Sequence, residues 1–198
     1  MGEPDREAVV VTLGRARRGV QRAVTLVIFF VLIGIGLWVY HQNTVNIRKQ
    51  QLLCAELKSS VQALLPFCSS RLENCGSDLA RITEDESPDI FGFLRELEGL
   101  GGEQYYFVLD KLGQSWANGG NPHLSLRASG ARPGPALFSL NPESKKPIED
   151  LVAAGMGGGG LVEYAWNSPG HRDEKRPKIS YVEHIPRTGL LLGRGSYL

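Results

Sequence analysis

LVEYAWNSPGHRDEKRPKISYVEHIPRTGLLLGRGSYL, residues 161–198, decides the fold. Three runs in it have strand character: LVEYAW (161–166), KISYVEHI (178–185) and LLLGRGSYL (190–198). Each mixes branched and aromatic residues, and a charged loop and Pro186-Arg187-Thr188-Gly189 separate them. Consecutive strands with short connections form an antiparallel sheet.

Upstream, the glycine run 157–160 closes a short helix that opens at Pro147, with Glu149 and Asp150 facing the positive end of its dipole. QYYFVLD (104–110) reads as a strand, Asp110-Lys111-Leu112-Gly113 as a turn, and 114–117 as a second, short strand. A loop rich in Gly, Asn, Pro and Arg covers 118–135, and a further strand is expected at 136–140. Ser87 and Pro88 form an N-cap and first-turn proline, and Ile90, Phe93, Leu94 and Leu97 follow at helical spacing. The polar stretch 69–86 holds a short helix around 78–82. Leu53, Leu57, Val61 and Leu64 or Leu65 place one apolar stripe on a helix over 41–65, which Pro66 should bend or end. Helices followed by strands make the class α+β.

AVTLVIFFVLIGIGLWVY, residues 23–40, carries no charge and as a helix covers about 27 Å, close to a bilayer's apolar thickness. Arg15, Arg17, Arg18 and Arg22 crowd its amino side, and Trp38 and Tyr40 mark its far end. The expectation is a short basic cytoplasmic tail (1–22), a transmembrane anchor in the inner membrane (23–40) and a periplasmic or extracellular domain (41–198). The run ends in large residues, so it is read as an uncleaved anchor and not a signal peptide. In an exported segment a disulfide between Cys68 and Cys75 is feasible, with two small buried thiols as the alternative.

The 198 residues hold one domain and an appendage, and a net charge of +1 argues against nucleic-acid binding. The glycine run lacks the Lys and Ser/Thr of a phosphate loop, and a strand follows it where a helix should begin. His41, His123, His171 and His184 show no ligand spacing, no CxxC occurs and no GxSxG elbow exists, so no metal, cofactor or catalytic centre is expected. Chemistry is instead concentrated in Tyr105, Trp116, Tyr164, Trp166, Lys178, Tyr181 and Tyr197, which could line one concave face. An ammonium group and phenol hydroxyls meeting in an apolar pocket suit a small carboxylate. The plainer alternative is aromatic core with a strand lysine in water. Lys178 and Tyr181 differ by three positions, which sends them to opposite faces of a regular strand.

Five stretches resemble a single Cache domain, the extracytoplasmic PAS-like sensor module of bacterial chemoreceptors and histidine kinases. YYFVLDKLG (105–113) is similar to its first strand and Asp-x-x-Gly turn, and EDLVAAGMGGGG (149–160) to its middle helix. VEYAWNSPG (162–170) resembles its tyrosine strand, RPKISYVEHIP (176–186) its Pro-Lys-x-x-Tyr strand, and LLGRGSYL (191–198) the closing strand. The likeness implies a PAS-like antiparallel sheet packed on a long amino-terminal helix, and a pocket for a small organic acid. By position it makes Tyr105, Lys178 and Tyr181 the ligand residues, with Trp116 as a wall. Asn118 stands where a histidine is common, and 141–144 replaces an expected Asp-x-x-Gly, which points to an atypical ligand or a degenerate pocket. The resulting expectation is a non-enzymatic, membrane-anchored sensor that pairs as a homodimer through the long helix. It would serve a separate signalling partner such as a kinase or chemoreceptor, since the sequence shows no output module. The alternative from another class is a structural or assembly protein of the envelope, pilin-like or a scaffold subunit.

Overall fold

The computed structural model describes residues 4–72, 88–100, 104–121, 142–168 and 171–198. The chain divides into two compact units, Met1–Gln51 and Leu52–Leu198. Helix α1 (Pro4–Leu72) contributes residues to both units. Among the described residues one helical stretch, Val24–Leu72, is long and apolar enough to cross a bilayer, and positions 24–40 are exposed throughout.

The second unit is built around a five-stranded antiparallel sheet: β1 (Gln104–Asp110), β2 (Ser115–Asn118), β3 (Gly160–Ser168), β4 (His171–Ile185) and β5 (Leu190–Tyr197), in the order β2-β1-β5-β4-β3. Helices α2 (Pro88–Gly99) and α3 (Lys145–Met156) belong to the same unit. The expected α+β class, with its sheet and long leading helix, is the architecture present.

Alternation along the strands sorts side chains into two cores. One face carries Tyr106, Val108, Trp116, Ile179, Tyr181, Ile185, Leu190 and Leu192, packed with Leu57, Val61, Cys68 and Leu72 of α1 and Phe93, Leu94 and Leu97 of α2. The other carries Tyr105, Phe107, Leu109, Val182 and Leu191, packed with Ile148 and Leu151 of α3.

Two expectations change. Helix α1 does not end at Pro66; it continues to Leu72. Cys68 and Leu72, both beyond the proline, are fully buried in the first core. Burying such side chains contributes roughly 1.5–3 kcal/mol each, enough to offset the ~3 kcal/mol a mid-helix proline costs. The charged loop expected before residue 178 is instead the outer half of β4, paired with β3 as far as Ser168↔His171. Pro177 is tolerated there because pairing with β5 stops beside it, and only its carbonyl is used, accepting from Leu198 N–H at 2.9 Å. The strand expected at 136–140, the short helix at 78–82, and Cys75 lie outside the described residues.

Turns follow their residues. Asp110 Oδ1 accepts from Leu112 N at 2.8 Å and Gln114 N at 2.9 Å, with Gly113 at φ 71°. Gly157 N–H donates to Ala153 O and Gly159 N–H to Ala154 O, so the glycine run closes α3 and turns the chain into β3. Gly158 and Gly159 stand at φ 102° and 97°, a region costly for other residues.

Candidate ligand-binding site

The α3 side of the sheet holds a small cavity lined by Tyr105, Phe107 and Leu109 of β1, Asn118 of β2, Ile148 and Leu151 of α3, Tyr164 and Trp166 of β3, and Lys178 of β4. Its volume is about 10 Å³, the room of roughly one water. The strands deliver these residues by parity: 105, 107 and 109, then 164 and 166, then 178 all point to one face.

Lys178 is the centre of the site. It is 1% exposed, the largest fully buried side chain described. Its Nζ stands 3.7 Å from the Tyr105 ring centroid, 5.4 Å from Tyr197, 5.7 Å from Phe107 and 5.8 Å from Tyr164. Among the described residues no carboxylate pairs with it. Its ammonium therefore experiences two opposed effects. Contact with ring faces favours the charge by roughly 0.5–2 kcal/mol, whereas burying a charge without a counter-ion costs several kcal/mol. Burial wins, and the Lys178 pKa is driven well below the ordinary lysine value.

The lysine can lie flat because β5 has no side chain beneath it. A Cβ on Gly195 would collide with Lys178 Cε and Ser180 Oγ, and one on Gly193 with the Phe107 ring. Tyr164 Oη shares a 2.9 Å hydrogen bond with Ser180 Oγ, and its ring meets Trp166 edge-on at 5.7 Å. Tyr197 Oη donates to Asn167 O, and Arg176 lies 5.4 Å over the Tyr197 ring. Burial, reinforced by the neighbouring phenols Tyr164 and Tyr197, raises the Tyr105 hydroxyl far above its usual pKa; burial also raises Tyr164 and Tyr197. All three stay protonated at neutral pH and remain hydrogen-bond donors.

Of the residues singled out in the sequence, the structure brings together Tyr105 and Lys178, and with them the broader candidates Tyr164, Trp166 and Tyr197. It does not bring Tyr181 or Trp116 to this cavity. Both pack in the α1-side core. Tyr181 is three positions from Lys178 on a regularly paired stretch of β4, so alternation turns it away. Its hydroxyl donates to Glu183 Oε2 at 2.7 Å, and burial with that carboxylate pushes its pKa up to about 12. Trp116 Nε1 donates to Asp110 Oδ2 at 3.4 Å. Asn118 does line the cavity, with Oδ1 accepting from Gly120 N and Asn121 N. Phe107, Ile148 and Leu151 carry no chemical signal in sequence and were reachable only through strand parity and the apolar face of α3. Cys68 is buried against the sheet, and its proposed bridge to Cys75 falls outside the described residues. Among the described residues no His/Cys/Asp/Glu cluster could hold a metal ion.

Residues 41–198 match a family model described as Cache domain. A sensor histidine kinase, MctS, of Rhizobium johnstonii (strain DSM 114642 / LMG 32736 / 3841) is 26% identical over 160 residues, 79% of this chain. The chain spans about a third (32%) of that relative's length. A methyl-accepting chemotaxis protein from Vibrio parahaemolyticus RIMD 2210633 is similar in structure, with a TM-score of 0.50 at 21% identity, over 79% of this chain and 92% of that one.

Proposed function

Because this chain belongs to the Cache domain family, we propose that it is a membrane-anchored extracytoplasmic sensor that binds a small organic acid at Lys178. Cache domains are sensor domains of chemoreceptors and histidine kinases, and the family is not an enzyme family. The finer reading rests on one observation: a fully buried lysine at a cavity wall, ringed by four aromatic side chains, with no carboxylate beside it among the described residues. A carboxylate entering there supplies the missing counter-ion, and the protonated Tyr105 and Tyr164 hydroxyls are suited to fix its orientation. Entry needs space beyond the present cavity. Tyr164 and Trp166, only half buried on the edge strand β3, are the walls that can yield.

The exposed apolar stretch 24–40 supports anchoring through one helix, with the basic tail 1–22 inside and 41–198 outside. The bound state would then be passed to a membrane partner of the kinase or chemoreceptor type. Such a partner responds only if it distinguishes the liganded from the empty domain.

The test is calorimetric titration and thermal shift of the detergent-solubilised chain against small carboxylates, amines and purines. Saturable binding of a carboxylate, abolished by Lys178→Ala, is expected. Binding of amines alone, or carboxylate binding indifferent to Lys178→Ala, would refute the reading. A phosphatase reporter fused after Leu198 should be active only outside the cytoplasm; the opposite result removes the topology.

A further inference from the structure

At one end the sheet thins to two strands. β4 is paired on both sides as far as Lys178, which stands opposite Tyr197 of β5 and Tyr164 of β3. From Pro177 outward it is paired with β3 alone, through Ala165↔Pro177, Trp166↔Arg176, Asn167↔Lys175 and Ser168↔His171. Pro177 has no N–H to give, and the last tie to the β5 end is the Leu198 N–H on its carbonyl. A two-stranded ribbon with no third strand beside it has little stability of its own, so its position depends on what holds it.

Three contacts hold this ribbon. Lys175 forms an ion pair with Glu143, which stands in the 3-10 turn (Pro142–Ser144) leading into α3. The Tyr197 hydroxyl donates to Asn167 O. Arg176 lies 5.4 Å over the Tyr197 ring, and Lys178 Nζ lies 5.4 Å from the same ring. The ribbon carries Trp166, while α3 carries Ile148 and Leu151; all three line the cavity and pack in one cluster. While these walls stay together, the space between them admits about one water and nothing larger.

We propose that the outer β3–β4 ribbon is a strap over the cavity, hinged at Pro177 and latched to the start of α3 by Lys175 and Glu143. The strap swings out to admit the ligand and latches again to retain it. The proposal rests on the carboxylate reading above and adds a gate to it. Both ends of the latch are exposed, so the ion pair is of the kind that is individually weak and screened by salt. Such a contact favours closure yet gives way readily. The Lys146–Asp150 pair is also exposed but lies within α3 and ties it to no other element, which makes it the natural control.

The test reads opening of the cavity without any ligand, as the rate at which formaldehyde and cyanoborohydride methylate Lys178 in the detergent-solubilised full chain. Peptide mapping at low conversion supplies the rate, relative to exposed Lys111. Glu143→Gln should speed labelling of Lys178 about two- to fivefold, the range an exposed ion pair commands. Raising salt from about 0.05 to about 0.5 M should do the same to the wild type and little to the variant. Exchanging the charges, Glu143→Lys with Lys175→Glu, should restore the slow rate, whereas Asp150→Asn should leave it at the wild-type value. Labelling indifferent to Glu143→Gln and to salt, failure of the exchange to restore it, an equal effect of Asp150→Asn, or no measurable labelling of Lys178 in any of the proteins would each overturn the strap. The salt arm needs no variant, so the answer survives a variant that does not fold. A parallel arm asks whether acetate protects Lys178. Protection by acetate with no effect of the latch overturns the strap and leaves the carboxylate reading standing; latch effects without protection do the reverse.

Discussion

Replacing Lys178 by methionine should stabilise the protein and abolish carboxylate binding in one step. Methionine has nearly the same length and fills the slot over Gly195 with apolar atoms, while the buried nitrogen and its need for a counter-ion disappear. The wild-type residue either carries an unpaired buried charge, costing several kcal/mol, or gives up its proton to avoid that cost. Contacts with the four rings offset about 0.5–2 kcal/mol of this. The net gain on substitution is therefore about 1–3 kcal/mol at neutral pH, or roughly 3–10 °C in Tm for a chain of this size. The pH dependence provides a sharper check. Because the folded-state pKa of Lys178 is depressed, the unfolded chain binds the extra proton, and wild-type stability rises with pH until the ordinary lysine value of 10.5 is reached. The advantage of Lys178→Met should be greatest at low pH and shrink as pH climbs toward that value. Denaturant unfolding of both proteins between pH 6 and pH 10 measures this. A variant less stable than wild type at pH 6, or a gap that does not narrow with pH, would refute the reasoning about a costly buried amine.

Three further outcomes follow from packing. Gly195→Ala drives a methyl into Lys178 and Ser180 and should cost about 1–3 kcal/mol by denaturant unfolding, with a smaller cost in a Lys178→Ala background. Arg194 lies over the Tyr106 ring at 5.2 Å, donates to Ser60 Oγ and approaches Glu56 at 3.6 Å; Arg194→Ala should cost about 1–3 kcal/mol, whereas Glu56→Gln, whose carboxylate is half exposed, should cost under about 1 kcal/mol in the same assay. Pro66→Ala restores a helical N–H inside α1 without moving Cys68 or Leu72 from the core, and should raise stability by about 1–3 kcal/mol.

The order of elements was readable because their signals are local. QYYFVLD, the Asp110–Gly113 turn, the helix ending at the glycine run and the three final strands stand where their residues place them. That α1 runs past Pro66 and that 171–177 is strand have one reason: a breaker or a charged run is a local preference, and here burial beyond Pro66 and pairing with β3 outweigh it. The site was half visible. Tyr105, Tyr164, Trp166 and Lys178 are conspicuous by chemistry, and alternation already separated Lys178 from Tyr181. Trp116 was harder, because its face depends on the bulge between Val108 and Leu109 that sets the β1–β2 register, and nothing in SWAN announces that. Phe107, Ile148 and Leu151 are ordinary apolar residues until a sheet and a helix close over them.

The bare backbone at Gly193 and Gly195 has a consequence for how the cavity can be reshaped. Neither glycine lines the cavity, yet each sits directly against a side chain that does. A methyl at Gly195 would press on the Lys178 stem and one at Gly193 on the Phe107 ring, so each reaches the cavity through a different lining side chain. The apolar wall and the charged wall of the cavity can therefore be displaced one at a time from the same strand.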